Sequence, residues 1–260
     1  MTDQPVENRF ELGTVWGHVK DDPNIQRKTA MFESMIPPDV ENILDVGCGD
    51  GAITNALGEK HTVVGLDFSE VALRHLTVEG VLGSADDLPF PDRSFDLVLS
   101  SQLLEHLDQE TYERSLAELR RVARRYLLVS VPYREDLTFR QIRCPRCGWR
   151  GHVWGHKRRF TAESLVADLR GGFDAADVRI FGALESPPWP QWLLWPVQNL
   201  LHSFYAPTGQ SPFCEQCHNA DFSDARGIHG HIYRVKAALD RRGGKARMPF
   251  WIAVLAKRDK

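Results

Sequence analysis

The sequence predicts an α/β fold in which a mostly parallel sheet carries helices on both faces. Three observations predict it. From Asn42 onward, short continuous apolar runs alternate with helical stretches, the rhythm of a parallel sheet whose strands are buried on both sides. A glycine-rich turn, Asp45-Val46-Gly47-Cys48-Gly49-Asp50-Gly51, falls where the first run ends and a helix begins, the place where open parallel sheets bind their ligands. The composition, 42% hydrophobic and 26% charged over 260 residues, is that of a folded chain with a sizeable core.

The elements follow in chain order. Residues 1–40 read as an irregular arm and then a helix, roughly Asn24 to Met35, stopped by Pro37-Pro38; apolar residues are sparse in it, so it reads as a lid or substrate-side cap. Ile43–Val46 and Thr62–Leu66 are the first two strands and Asp96–Ser100 the next. A helix from about Gln109 to Arg124 leads to the run Tyr126–Val131. The rhythm then breaks into RCPRCGWRGHVWGHKRRF and resumes with a helix at Ala162–Leu169 and a strand at Val178–Phe181. A second break, residues 185–246, is rich in Pro, Trp, Gly and His; Phe250–Leu255 closes the chain as a strand. The expected parts are an arm and cap helix (1–40), a core (41–136), a first cysteine insertion (137–160), a core helix and strand (161–184), a second cysteine insertion (185–246) and a final core strand (247–260).

The net charge of −3 exerts no global pull on nucleic acid or an anionic membrane. The opening MTDQPVENRF lacks a basic segment followed by an apolar one, and no apolar run reaches the length of a membrane span, so a cytoplasmic location is expected. Of five cysteines, Cys48 stands alone while Cys144/Cys147 and Cys214/Cys217 form two C-x-x-C pairs. In such a chain that pattern points to metal or redox chemistry rather than to a disulfide framework.

Twenty residues beyond Gly47, at the tip of the second strand, stands Asp67, a spacing suited to a carboxylate that accepts hydrogen bonds from both hydroxyls of a ribose. An adenosine-containing ligand follows. Gly47-x-Gly49-x-x-Ala52 also satisfies the loose dinucleotide fingerprint, but Asp45 puts a carboxylate beside the turn, which suits an ammonium or sulfonium better than a pyrophosphate. The acidic turn favours S-adenosylmethionine.

Four stretches, ILDVGCGDG (43–51), VVGLDFSE (63–70), GSADDLPFPDRSFDLVLSSQLLEHL (83–107) and LLVSVPYRE (127–135), in this order and spacing, resemble the class I S-adenosylmethionine-dependent methyltransferases, in particular a small-molecule branch related to quinone-biosynthesis enzymes. The resemblance implies a Rossmann-like sheet of seven strands, the last antiparallel, with two cap insertions. It implies that Asp45, Gly47 and Gly49, with Cys48, line the methionine part of the cofactor and that Asp67 holds the ribose, with Phe68 beside it. Ser84 and Ala85 flank the adenine, with Asp86 standing in for the acidic residue usual at position 84. Ser101 and Gln102 lie beside the sulfonium.

Two cysteine pairs offer four thiolates at the spacing tetrahedral zinc prefers, although 66 residues separate Cys147 from Cys214. In the fold implied, both insertions emerge at the ligand-binding edge, so the pairs can meet. A structural zinc on Cys144, Cys147, Cys214 and Cys217 is expected; His152, His156 and His218 are substitute ligands, and free thiols or a disulfide switch are the alternative.

Methyl transfer from a sulfonium needs a positioned nucleophile and, for a hydroxyl, a base. His106 is the first candidate, with Glu105 beside it; His152, His156 and Tyr133 rank lower. Gln102-Leu-Leu-Glu105-His106 also looks like the Glu-x-x-Glu-His metal motif of some methyltransferases, with Gln102 in place of the first glutamate. The stretch 187–205, with Trp189, Trp192 and Trp195, reads as packing of the insertion, an aromatic acceptor pocket, or a patch that dips into a membrane interface. Arg120, Arg121, Arg124 and Arg125 read as a solvated helix face, and Lys157-Arg158-Arg159 as a patch near the pocket. The expected activity is methylation of a small-molecule, glycan or lipid-linked hydroxyl; nucleic acid is not an expected partner. An RNA methyltransferase, a noncatalytic cofactor- and zinc-binding adaptor and an NAD-dependent oxidoreductase are the rivals, and oligomeric state stays open.

Overall fold

Helix α1 (Pro23–Met35) opens the ordered core, and its side chains show why a helix with few apolar residues forms there. Phe32 and Met35 are buried, and with them Lys28 and Thr29; Lys28, Phe32 and Met35 recur at helical spacing along one face. The computed structural model describes residues 9–11, 23–137, 141–182, 184–186, 212–222 and 246–259. After α1 come β1 (Asn42–Val46), α2 (Ala52–Leu57), β2 (Thr62–Asp67), α3 (Glu70–Leu73), β3 (Glu79–Leu82) and β4 (Phe95–Ser101). A 3-10 turn (Leu104–His106), α4 (Gln109–Val122) and β5 (Ala123–Pro132) follow. The remainder is β6 (Gln141–Arg143), β7 (Arg150–His152), α5 (Ala162–Leu169), β8 (Phe173–Phe181), β9 (Leu184–Ser186), β10 (Ala246–Met248) and β11 (Trp251–Arg258).

Seven strands form one sheet in the order β3-β2-β1-β4-β5-β11-β8. All pairings from β3 to β5 are parallel, and β11 runs antiparallel to both β5 and β8. Alternation along each strand divides the core into two layers. Leu44, Val46, Val98, Leu127, Val129 and Val254 pack beneath α4 and α5, whereas Ile43, Val63, Leu97, Leu99, Leu128 and Ala253 pack beneath α1 and α2. Helix α4 is started by Asp108, whose carboxylate accepts the Thr111 N–H at 3.0 Å, and α5 by a capping box between Thr161 and Ser164.

The fold expected from sequence is the fold observed: a seven-stranded, mostly parallel sheet with one reversed strand and helices on both faces. Strand β3 was not expected; three of its four residues are exposed, so it has no apolar run to announce it. The arginines of 120–125 are not a simple solvated face. Arg121 pairs with Asp92 and Glu118 and donates to the carbonyls of Leu88 and Phe90. Arg120 ties the carbonyls of Asp168 and Arg170, Arg124 pairs with Asp96, and Arg125 pairs with Asp39 and Asp96. Arg158 likewise packs 3.8 Å over the Tyr112 ring and donates to Gln109, so it is a structural tie rather than part of an open patch.

Contacts divide the chain into two units. One is Phe10–Glu135, Arg158–Gly182 and Phe250–Lys260, which holds the sheet; the other is Met1–Arg9, Asp136–Lys157 and Ala183–Pro249. In the second, β6 pairs antiparallel with β7 and β9 with β10. Among the described residues no helix is long and apolar enough to cross a membrane.

Candidate cofactor site and cysteine cluster

The turn after β1 is shaped by backbone geometry that side chains resist. Gly47 takes a φ of +74°, and a Cβ built on it would stand 3.0 Å from Leu103; only glycine fits both demands. The turn hangs on β2: the N–H groups of Gly47 and Cys48 both donate to the Leu66 carbonyl. Asp67, at the tip of β2, completes the link, since one carboxylate oxygen accepts the Gly49 N–H and the other the Ser69 N–H, each at 2.9 Å. Phe68 follows, 41% exposed and edge-on to Phe10.

Asp45 lies at the floor of this turn and is 2% exposed. Its Oδ2 accepts the Thr54 hydroxyl at 2.7 Å, while its Oδ1 is buried with no hydrogen-bond partner among the described residues. Burial pushes this carboxyl up to about 7, against the pull of the Thr54 hydrogen bond and with the help of Asp67's charge. Asp67 is also raised, again by burial, with the amides of Ser69, Gly49 and Phe68 working the other way. A buried acceptor atom without a donor is costly, and a cationic ligand lying over the turn would satisfy it. Thr54 was not singled out from the sequence; its place three residues past Gly51, on the helix the turn starts, is the signal that could have found it.

Ser84 pairs with Asp87 across a tight turn, and its hydroxyl donates to Asp86, whose other carboxylate oxygen faces Arg114 at 3.5 Å. Ala85 packs against the sheet core. Ser101 ends β4 with its hydroxyl oxygen buried and unpartnered among the described residues. Gln102 follows at a φ of +59°, uncommon for a side-chain-bearing residue. Its N–H donates to the Ser130 carbonyl, and its Oε1 accepts the Trp251 indole N–H at 3.0 Å.

Glu105 is wholly buried on the 3-10 turn, and neither carboxyl oxygen has a partner from another described residue. Burial pushes it up to about 8, eased by its own N–H and by Lys28 and deepened by Glu135. Lys28, itself buried, lies 4.6 Å over the Trp251 ring. His106 ends the same 3-10 turn, with its ring edge-on to Phe10 at 5.2 Å. Lys28 and Trp251 escaped the sequence reading. The signal for Lys28 is its position on the stripe of Phe32 and Met35; Trp251 gave none beyond opening an apolar strand.

In the second unit, Cys144, Cys147, Cys214 and Cys217 come together with all four sulfurs within 4.8 Å of one another. Cys144 to Cys217 is 3.6 Å, and both Cys147 and Cys217 lie 3.5 Å from Cys214. Four sulfurs at about 2.3 Å from a tetrahedral zinc stand about 3.8 Å apart. The two C-x-x-C turns have the same build. The Gly148 N–H donates to the Cys144 carbonyl and the Cys144 N–H to Trp149; His218 and Asn219 repeat this around Cys214. Gly148 and His218 hold matching positive φ of 78° and 56°. His218 stacks on Phe213, and His152 stacks on His156; none of the three belongs to the four-sulfur group. The tryptophan-rich stretch 187–205 lies outside the described residues.

Comparison with known proteins agrees with this geometry. A family model described as a methyltransferase domain matches residues 44–126. A probable S-adenosylmethionine-dependent methyltransferase of Mycobacterium tuberculosis is 26% identical over 198 residues, covering 64% of this chain and 69% of that protein. A demethylmenaquinone methyltransferase of Shouchella clausii is 34% identical over 116 residues, covering 38% of this chain and 48% of that one. Among solved structures, a SAM-dependent methyltransferase from Archaeoglobus fulgidus shares the fold with a TM-score of 0.54 at 19% identity, over 90% of this chain and 94% of that one. Residues 44–126 thus match a methyltransferase domain, and the sheet has the Rossmann-like fold of a solved S-adenosylmethionine-dependent methyltransferase.

Proposed function

We propose that the protein methylates a hydroxyl of a small-molecule, glycan or lipid-linked acceptor, and that a structural zinc on Cys144, Cys147, Cys214 and Cys217 holds its second unit together. The observation that carries the cofactor part is the orphaned, buried Oδ1 of Asp45 in a turn whose Gly47 leaves no room for a side chain. The residues fit the cofactor. Asp45 offers its free oxygen to a positive charge, Gly47, Cys48 and Gly49 bring backbone close, and Asp67 keeps lone pairs for ribose hydroxyls after accepting two amides. Phe68 supplies an exposed ring beside the adenosine, with Ser84, Ala85 and Asp86 on the next turn.

When bound, the cofactor supplies a methyl carbon already activated by a sulfonium that leaves as a neutral thioether. The chain's part is to orient the acceptor oxygen in line with that carbon and to take its proton. Ser101, with its unpartnered hydroxyl, and Gln102, fixed by Ser130 and Trp251, support positioning at the end of β4. Glu105 and His106 on the next turn are the proton acceptors of this reading. Burial makes Glu105 a strong base once ionised, and Lys28 favours the ionised form. The zinc reading is supported by the four sulfurs at near-tetrahedral spacing and by the two matching knuckle turns. Four protein ligands leave no open position for substrate, so the ion's role is structural.

Calorimetry with S-adenosylmethionine and its demethylated product, on wild type and Asp67→Ala, tests the cofactor site; zinc is assayed on the same samples. Asp67→Ala is expected to weaken both ligands by about tenfold or more, the worth of one or two charged hydrogen bonds, at unchanged zinc content. Wild-type affinity for the variant would remove Asp67 from the site, and a chain purified without zinc and folded all the same would remove the metal.

A further inference from the structure

Phe10 meets the end of the sheet where the glycine turn begins. It is half-buried, and its ring stands 5.9 Å from that of Phe68 and 5.2 Å from that of His106, at interplanar angles of 89° and 84°. Phe10 and both partners belong to the sheet unit. Phe68 follows the tip of β2, whereas His106 ends the 3-10 turn after β4. In the sheet β1 lies between these two strands, so two strand spacings, about 10 Å, separate the end of β2 from that of β4. One side chain touches both sides of that gap. Its middle is the end of β1, where Asp45 keeps a buried oxygen without a partner among the described residues.

A backbone anchor fixes the same residue. Ser69 is 1% exposed, and its hydroxyl has a single proton, which it donates to the Phe10 carbonyl at 2.9 Å. The same oxygen accepts the Ala72 N–H at the start of α3, and the Ser69 N–H donates to Asp67. Phe10 is thereby tied, through one serine, to the carboxylate that holds the ribose in the proposed site. We propose that Phe10 is a wall of that site: its ring closes the gap between Phe68 and His106 over the end of β1, so that a bound cofactor lies between the ring and the glycine turn. The inference rests on the cofactor reading of that turn and adds a residue to it. Phe10 stands 35 positions before Asp45, in a stretch of sequence without a motif, and only its contacts reveal it.

Surface plasmon resonance on the immobilised full chain reads the rate of release, with S-adenosylmethionine and its demethylated product as probes. Phe10→Ala is expected to release both about tenfold faster than wild type, the upper worth of one aromatic contact, with a smaller change in association rate, because lost contacts act mainly on dissociation. Phe10→Tyr, which keeps the ring, should release both as wild type does. Circular dichroism and thermal melting confirm that the two variants fold. Wild-type release from a folded Phe10→Ala chain, even one with a lowered Tm, would overturn the inference and make Phe10 a packing residue only. Release from Phe10→Tyr as fast as from Phe10→Ala would overturn it too, since the ring would still be in place. Binding of neither probe by wild type would overturn the cofactor reading and this inference with it, an outcome distinct from binding with unchanged release.

Discussion

In the proposed cofactor site, Asp45 would tie affinity to pH. Its carboxyl is pushed up to about 7 by burial, so it is largely neutral just below that pH in the ligand-free chain, and a cationic ligand favours the ionised form. Affinity for S-adenosylmethionine is expected to rise from pH 6 to pH 8 and then level off. In Asp45→Asn it should be weaker and nearly flat; titrations at several pH values read both. The sign for stability is the reverse. The folded pKa lies above the unfolded one, so the native state binds the extra proton between about pH 4 and pH 7, and stability falls as pH rises through that window. Asp45→Asn keeps an acceptor for Thr54 without the charge, and is expected to melt higher than wild type at pH 8, by roughly 2–4 °C for each kcal/mol relieved. Glu105 titrates higher, at about 8, also through burial. If it takes the acceptor's proton, turnover rises through that pH, and Glu105→Gln removes the rise together with at least about a hundredfold in rate. A rate profile unchanged in Glu105→Gln would leave His106 as the base.

At the scale of elements, the end of β8 and the start of β11 set the wall around Gln102. Gly182, just past β8, holds a φ of +73°, and a Cβ there would meet the Trp251 ring at 2.3 Å. Trp251 in turn fixes Gln102 through its indole N–H and carries Lys28 on its face. Gly182→Ala is expected to lower unfolding free energy by about 1–3 kcal/mol, the usual cost of overpacking, as urea denaturation would measure. It should also lower turnover without changing cofactor affinity, because Asp45 and Asp67 sit on β1 and β2. The strands and helices themselves were legible. Ala162–Leu169 emerged as read, and β1, β2, β4 and β5 came within a few residues, because buried parallel strands are unbroken apolar runs. Strand β3 was not legible, being short, exposed and glycine-containing.

At the scale of the molecule, two units of different construction share one chain. The sheet unit rests on two layers of buried aliphatic side chains, whereas in the other unit the segments around Cys144 and Cys214 meet at a four-sulfur cluster. If zinc occupies that cluster, as proposed, its removal is expected to act unequally. Dialysis against a chelator should open residues 141–152 and 212–222 to protease while the sheet unit stays protected, since structural zinc supplies about 10–16 kcal/mol in small zinc domains. Mass spectrometry of the fragments would locate the cuts; uniform protection after metal loss would show that packing alone holds the unit.

The sequence by itself determined the sheet, the glycine turn, the place of Asp67 at the tip of β2 and the two cysteine pairs, because each is a local pattern: an apolar run, a turn that only glycine allows, a fixed spacing. Tertiary structure decided what depends on distant partners. It brought Cys144 to Cys217 across 72 intervening residues, set Trp251 against Gln102 and Lys28, and left oxygens of Asp45 and Glu105 buried without partners among the described residues. It also turned the arginines of 120–125 from a solvated face into ties between loops. Burial and the shifts it imposes belong to the assembled environment of a residue, and no window of sequence contains that environment.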